Sequence, residues 1–229
     1  DVALQHLPVI FAMDRAGLVG EDGETHMGLY DIAYMLAVPG MTVTAPKDET
    51  EMLALLRSGI QHERGPFALR YPRDTAPSVP PATASIPAVP YGTWEVLRRG
   101  SSGLAILAVG TMVRQAESAA TALADEGLDV TVVNARFLKP YDSVALDALL
   151  ASHRMFLAVE EGTVVNGFGA FIATEIAKRD PGARVVAHGV PDRFIYAASR
   201  ARQLAQCGLD AAGLADRVRT LYRSQVFAT

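Results

Sequence analysis

The chain has 229 residues, half of them apolar and a fifth charged, with a net charge of −4 and a single cysteine. That length buries a proper core in one or two domains, and the weak negative charge gives no electrostatic basis for binding nucleic acid or an anionic membrane. Lone Cys207 excludes an intrachain disulfide and a cysteine-built metal cage, and reads as a partly buried helix residue; no apolar run reaches the length of a membrane span and no signal-peptide pattern opens the chain, which points to a cytoplasmic protein.

In chain order, residues 7–13 form an apolar, strand-like run. Residues 14–28 follow, with Gly17, Gly20, Gly23 and Gly28 favouring turns over a regular helix or strand. This loop holds Arg15, Asp22 and His26 at the end of a strand, where α/β folds place their ligand sites. A cation, a carboxylate and an imidazole in one constrained loop suit an anionic substrate and proton transfer. The same three residues also read as a surface ion-pair partner, an Asx-turn residue and a structural histidine.

Residues 30–37 read as a helix and 41–44 as a strand. A longer helix runs to about residue 62, with Asp48 as N-cap and Glu49 and Glu51 in its first turn. Residues 67–71 form the next strand, and Arg73 follows it, in the same half as the 14–28 loop. Arginine binds phosphate bidentately, so Arg73 beside Arg15 makes a phosphate clamp; the alternative is a salt bridge to the segment that follows. From residue 74 to 92 the composition turns to proline, alanine and serine, including Pro77, Pro80, Pro81, Pro87 and Pro90. That stretch reads as an extended linker that forms no packed element, with 1–74 and 93–229 as the parts it joins.

The second part alternates strands at 104–109, 130–134, 155–159 and 185–188 with helices at 111–126, 143–152, 167–178 and 211–222. The alternation predicts an α/β fold of mainly parallel sheets with helices on both faces. Gly167-Phe-Gly169 lacks the third glycine of a dinucleotide fingerprint and reads as close helix packing. Glu160 and Glu161, adjacent at a strand end, point to opposite sides and form no acid–base dyad, which leaves a structural or subunit-contact role. His6, His62, His153 and His188 are too scattered for a metal spacing and read as structural.

Taken in order, Asp14-Arg-Ala-Gly17, Gly20-x-Asp22-Gly-x-Thr-His26-x-Gly28, Ala45-Pro46-x-Asp48-Glu49, Arg70-Tyr-Pro-Arg73, Gly110-Thr111, Arg136-Phe-x-Lys139-Pro140, Val159-Glu160-Glu161 and Gly189-x-Pro191-Asp192 resemble the C-terminal part of the 1-deoxy-D-xylulose-5-phosphate synthases over essentially the whole chain. That family is thiamine-diphosphate dependent and related to transketolase. The resemblance implies the second half of a pyrimidine-binding (transketolase central) domain at 1–74, a proline-rich linker at 75–92 and a transketolase C-terminal domain at 93–229. It implies condensation of pyruvate with glyceraldehyde 3-phosphate with loss of CO2, for isoprenoid, thiamine and pyridoxal precursors. Arg15 and Arg73 would bind the aldehyde's phosphate, while Asp22 and His26 would contact its hydroxyl and carbonyl groups, with His26 a proton donor or relay.

The Gly-Asp-Gly…Asn motif that holds magnesium and the diphosphate in such enzymes does not occur here, and the glutamate and aromatic residue that serve the aminopyrimidine are expected upstream of Asp1. The resemblance therefore implies a chain inactive alone, working in a homo-oligomer or with a complementing N-terminal chain. Two positions depart from the family: Ala197-Ala198 stands where a His-Gly pair is usual, and Asp74 where a glycine is common. A carboxylate at 74 would weaken the positive field of Arg73 if both faced the site. The rival readings are a beta-type subunit of another transketolase-like or keto-acid dehydrogenase enzyme, and a non-catalytic dimerisation module.

Overall fold

The computed structural model describes residues 1–76, 78, 82 and 85–226, with side chains described through residue 224. Nine strands and seven α-helices alternate through them. The first sheet takes β1 (Ile10–Met13), β2 (Thr42–Thr44) and β3 (Phe67–Arg70) in parallel, with β3 in the middle and buried along its whole length. Apolar residues on both faces of Phe67-Ala-Leu69 suit such a strand, covered on both sides. Helices α1 (Asp31–Leu36) and α2 (Glu49–Gln61) connect these strands. Asp48 caps α2 by accepting the Glu51 N–H at 2.7 Å, which satisfies one of the free donors of the first turn.

The second sheet has the order β4 (Glu95–Arg98), β6 (Thr131–Asn134), β5 (Leu104–Ala108), β8 (Met155–Thr163) and β9 (Arg184–Val190). All pairings are parallel except that of β4 with β6. Around it lie α3 (Met112–Asp125), α4 (Ser143–Leu150), α5 (Phe168–Arg179), α6 (Arg200–Cys207) and α7 (Ala211–Val226). α3 buries Met112, Val113, Ala116, Ala119, Ala120 and Leu123 at helical spacing. Beyond it Leu128 donates back to Leu123 at 2.9 Å, closing the helix end.

Three elements lie outside the sequence expectation: β4, α6 and β7 (Phe137–Lys139). β7 leaves the second sheet and pairs antiparallel with β2, Val43 opposite Lys139 and Thr44 opposite Phe137. A segment from beyond the proline-rich stretch thus completes the first sheet. One buried cluster accordingly runs from Val43, Leu55 and Phe67 to Leu107, Phe137 and Phe156. Glu51, on α2, accepts from Asn134 at 2.8 Å and from Arg136 at 3.3 Å across the same junction.

The proline-rich stretch also differs from a solvated spacer. Its Pro77, Pro80 and Pro81 lie outside the described residues, but Ile86 and Val89 beyond them are buried in the core. Their carbonyls accept from Arg57 at 2.6 Å and Ser58 at 2.8 Å, both on α2. Proline here accompanies irregular chain that packs without ladder partners. β8 likewise runs past residue 159 to Thr163, so Glu160 and Glu161 sit within a strand and not at its end.

Candidate functional site

β1 and β3 lie side by side in parallel, with Met13 level with Arg70. Their C-terminal ends therefore deliver the 14–28 loop and Arg73 to one edge of the sheet, the position where ligands enter open α/β sheets. The two chains stay together beyond the strands, Ala16 donating to Tyr71 O at 2.9 Å. The loop closes on itself at a narrow neck, Gly17 N–H to Gly28 O at 2.8 Å and Gly28 N–H to Arg15 O at 3.0 Å. Between the ends of the neck, two short 3₁₀ turns, Gly20–Asp22 and Glu24–His26, present the acidic and imidazole groups. Gly17 has φ +82°, and a Cβ there would stand 2.6 Å from Cγ of Glu161, so both conformation and space require glycine.

Arg70 braces the neck from below. It is buried, donates to Asp31 at 2.6 Å, and reaches the carbonyls of Gly28 at 3.2 Å and Glu161 at 3.1 Å. Burial alone would lower its pKa, but the adjacent Asp31 carboxylate and the nearby Glu161 and Glu160 hold it above the ordinary arginine value.

The two candidate anion-binding arginines meet on one carboxylate. Arg73 Nη1 lies 2.5 Å from Asp22 Oδ1, and Arg15 Nε lies 3.4 Å from Asp22 Oδ2. Arg15 also contacts Asp14 at 2.5 Å. Both guanidinium groups keep substantial exposure, 39% for Arg15 and 56% for Arg73. Exposed pairs of this kind are worth no more than about 1 kcal/mol, so an incoming phosphate can take over the donors without a large penalty. His26 is exposed in the same loop, its Nδ1 3.0 Å from Thr25 Oγ1.

Arg73 thus pairs with Asp22 and not with the segment after it. Asp74 turns the other way and accepts from Arg200 at 2.7 Å. Its charge is met there, which removes the weakening of Arg73 expected from a carboxylate at 74. Arg200 stands two residues after the other departure: Ala198 O would be 3.5 Å from a Cβ on Gly20, and the Ala197 methyl 4.0 Å from one on Gly23. The two departures therefore meet at the flank of one loop.

Two side chains of the second segment hold this loop: Glu161, for which the sequence leaves a structural or subunit-contact role, and Gln203, which lies outside the sequence expectation. Glu161 accepts from Leu18 N–H at 2.9 Å, from Thr111 Oγ1 at 2.7 Å and from Arg200 Nη2 at 2.5 Å. Gln203, fully buried, accepts from Gly20 N–H at 2.9 Å and donates to Gly20 O at 3.1 Å. Glu160 points the opposite way, accepting at 2.8 Å from each of Phe168 N–H and Gly169 N–H at the start of α5. Burial pushes its pKa up to about 7 against the pull of those two amides and of Arg70. The alternation of adjacent strand residues is as expected, and neither carboxylate faces the other. Gly169 packs α5 closely on β9, where a Cβ would stand 2.5 Å from that of Ala187.

Three of the four remaining histidines have partners, and His6 is exposed. His62 stacks on Tyr91 at 4.7 Å, His153 bonds Thr131 at 2.8 Å, and His188 bonds the Gly208 carbonyl at 2.7 Å. Cys207 is buried at the end of α6. Among the described residues no group of three or more His, Cys, Asp or Glu side chains could hold a metal ion, and no helix is long and apolar enough to cross a membrane.

Comparison with known proteins agrees with this architecture. Residues 1–78 match the model of the transketolase pyrimidine binding domain, and residues 92–214 that of the transketolase C-terminal domain. A 1-deoxy-D-xylulose-5-phosphate synthase of Synechococcus sp. (strain JA-2-3B'a(2-13)) is 43% identical over 99% of this chain and 35% of its own length. The protein of that name from Aquifex aeolicus is 48% identical over 96% of this chain and 34% of its own. The chain thus spans about a third of the length of these curated relatives. A solved split-gene transketolase, an inactive beta4 tetramer, superposes with TM-score 0.83 at 28% identity, covering 96% of this chain and 68% of that one. Pichia stipitis transketolase (an H261F mutant) shares the fold, with TM-score 0.76 at 20% identity, over 97% of this chain and 31% of its own.

Proposed function

The chain belongs to the transketolase family, and on that premise we propose that it forms the C-terminal part of a 1-deoxy-D-xylulose-5-phosphate synthase. The reaction would join pyruvate to glyceraldehyde 3-phosphate with loss of CO2. The observation that carries this reading is the convergence of Arg15 and Arg73 on Asp22, in a loop that also exposes His26. Two forked cations at a sheet edge suit the phosphate of a small aldehyde. Asp22, released by that phosphate, accepts a hydrogen bond from a hydroxyl of the substrate, and His26 gives or relays the proton at its carbonyl oxygen.

Thiamine diphosphate would supply the carbon centre on which pyruvate is decarboxylated. Among the described residues no group of three or more His, Cys, Asp or Glu side chains could hold the magnesium that accompanies the diphosphate. We assign that site to the remaining two thirds of the relatives' length, supplied on the same polypeptide or on a complementing chain, with the assembly a homo-oligomer of such units. The division of labour would then be residues 1–74 as the second half of the pyrimidine-type domain, 75–92 as connection, and 93–229 as the C-terminal domain. The lone, buried Cys207 suits a reducing, cytoplasmic setting.

The test is pyruvate-dependent product formation with thiamine diphosphate and magnesium. The chain is assayed alone and mixed with a family segment ending just before the equivalent of Asp1. Product in the mixture, none from the chain alone, and loss of product with Arg73→Ala is the expected result. Turnover by the chain alone would refute the dependence on a second segment. Two folded pieces that associate yet make no product would refute the synthase reading.

A further inference from the structure

The candidate groups Arg15, Asp22, His26 and Arg73 all precede the proline-rich stretch, yet the loop that carries three of them is not held by its own segment alone. Its neck is closed by Gly17 and Gly28, whereas Leu18 and Gly20, just inside the neck, find their partners on the second segment. Leu18 N–H bonds Glu161 on β8, and Gly20 N–H and C=O both bond Gln203 on α6. The remaining Gln203 proton goes to Tyr196 O at 3.0 Å, so both ends of this fully buried amide are occupied. Two buried polar side chains that satisfy backbone groups fix position strictly, because any shift leaves a donor or acceptor unpaired in the interior.

We infer that Gln203 and Glu161 are positioning residues of the loop, and that through them the second segment sets the spacing of Arg15 and Asp22 relative to Arg73. Gly20 opens the turn that ends at Asp22, so its two bonds to Gln203 place the carboxylate on which both arginines converge. Arg200 completes the arrangement. It bonds Glu161 on one side and Asp74 on the other, keeping the carboxylate next to Arg73 out of the anion site. The inference deepens the phosphate-site reading given above and rests on it for the identity of the ligand. The mechanical claim, that Gln203 and Glu161 hold the loop, rests on geometry alone.

The test combines amide hydrogen exchange with titration of inorganic phosphate, using the full chain and two variants. Gln203→Met removes both bonds to Gly20 at nearly constant volume, and Gln206→Met makes the same substitution at an exposed position of α6. Exchange at residues 18–22 is expected to accelerate in Gln203→Met, with β5 and β8 unchanged. Phosphate affinity is expected to fall by about tenfold or more, since small displacements of binding groups have large effects. Gln206→Met behaves as the parent chain. Unchanged exchange at 18–22 in Gln203→Met, or acceleration spread evenly over the molecule, overturns the proposal. If phosphate fails to bind the parent chain while local acceleration persists, the ligand reading falls and the positioning role stands. Should Gln203→Met not fold, the parent chain still decides. The Leu18 and Gly20 amides must then open together with α6 under mild denaturant, and exchange as fast as that of exposed residues 24–26 overturns the proposal.

Discussion

At the scale of single residues, Arg15 has a backbone angle that non-glycine residues seldom adopt, φ +57°. The left-handed region costs an L-residue about 1–2 kcal/mol, and glycine escapes most of that penalty. An outlier at a proposed ligand-binding position, held there by a closed neck, is a common way for a site to keep a group pre-aimed. Replacing Arg15 by Gly and by Ala separates the two contributions. Both variants are expected to lose phosphate affinity, but Arg15→Gly should be more stable than Arg15→Ala by about 1 kcal/mol in urea unfolding. Equal stability would mean that the backbone there is not strained. The residue types at 15, 22, 26 and 73 are legible in the sequence because three share a short glycine-rich loop and the fourth closely follows a neighbouring strand. Their supports are not, since the bond from Leu18 to Glu161 spans 143 positions and that from Gly20 to Gln203 spans 183. No local pattern announces a glutamine that will bond a distant glycine.

At the scale of elements, the junction of β8 and α5 turns on the buried Glu160. Its pKa is raised by burial from 4.5 to about 7, so between those values the folded chain binds a proton that the unfolded chain releases. Stability from this group is therefore full below pH 4.5 and is lost as pH rises through 7. The span corresponds to as much as about 3 kcal/mol. Glu160→Gln abolishes this dependence but keeps an acceptor for only one of the Phe168 and Gly169 amides, since its NH2 group cannot accept. The variant should be less stable than the parent near pH 5, with the difference shrinking or reversing by about pH 8. Denaturant midpoints that stay parallel across that range would show that Glu160 does not titrate there. The parallel strands and their helices were legible from composition because each is long enough to show apolar runs or helical spacing. β7 is three residues ending before Pro140, too short for any period, and α6 buries a polar Gln203 among its few inward positions, which blurs the apolar stripe.

At the scale of the whole molecule, the two sheets share one buried cluster and β7 belongs in sequence to one part and in space to the other. The covalent connection through residues 75–92 is thus the lesser of the two joints between them. A protease site placed between residues 76 and 85 and cut to completion should leave one particle on a sizing column and two bands in denaturing electrophoresis. Fragments that part under native conditions would show that the β2–β7 pair and the Glu51–Asn134–Arg136 bonds do not hold them. The same feature governs how such chains can be recombined. A crossover between relatives placed in the proline-rich stretch, where composition invites it, would join one parent's β2 to another parent's β7 and one parent's loop to another's α6. A hybrid that inherits Val43–Thr44 together with Phe137–Lys139, and Leu18–Gly20 together with Glu161 and Gln203, respects the boundaries along which this molecule is built.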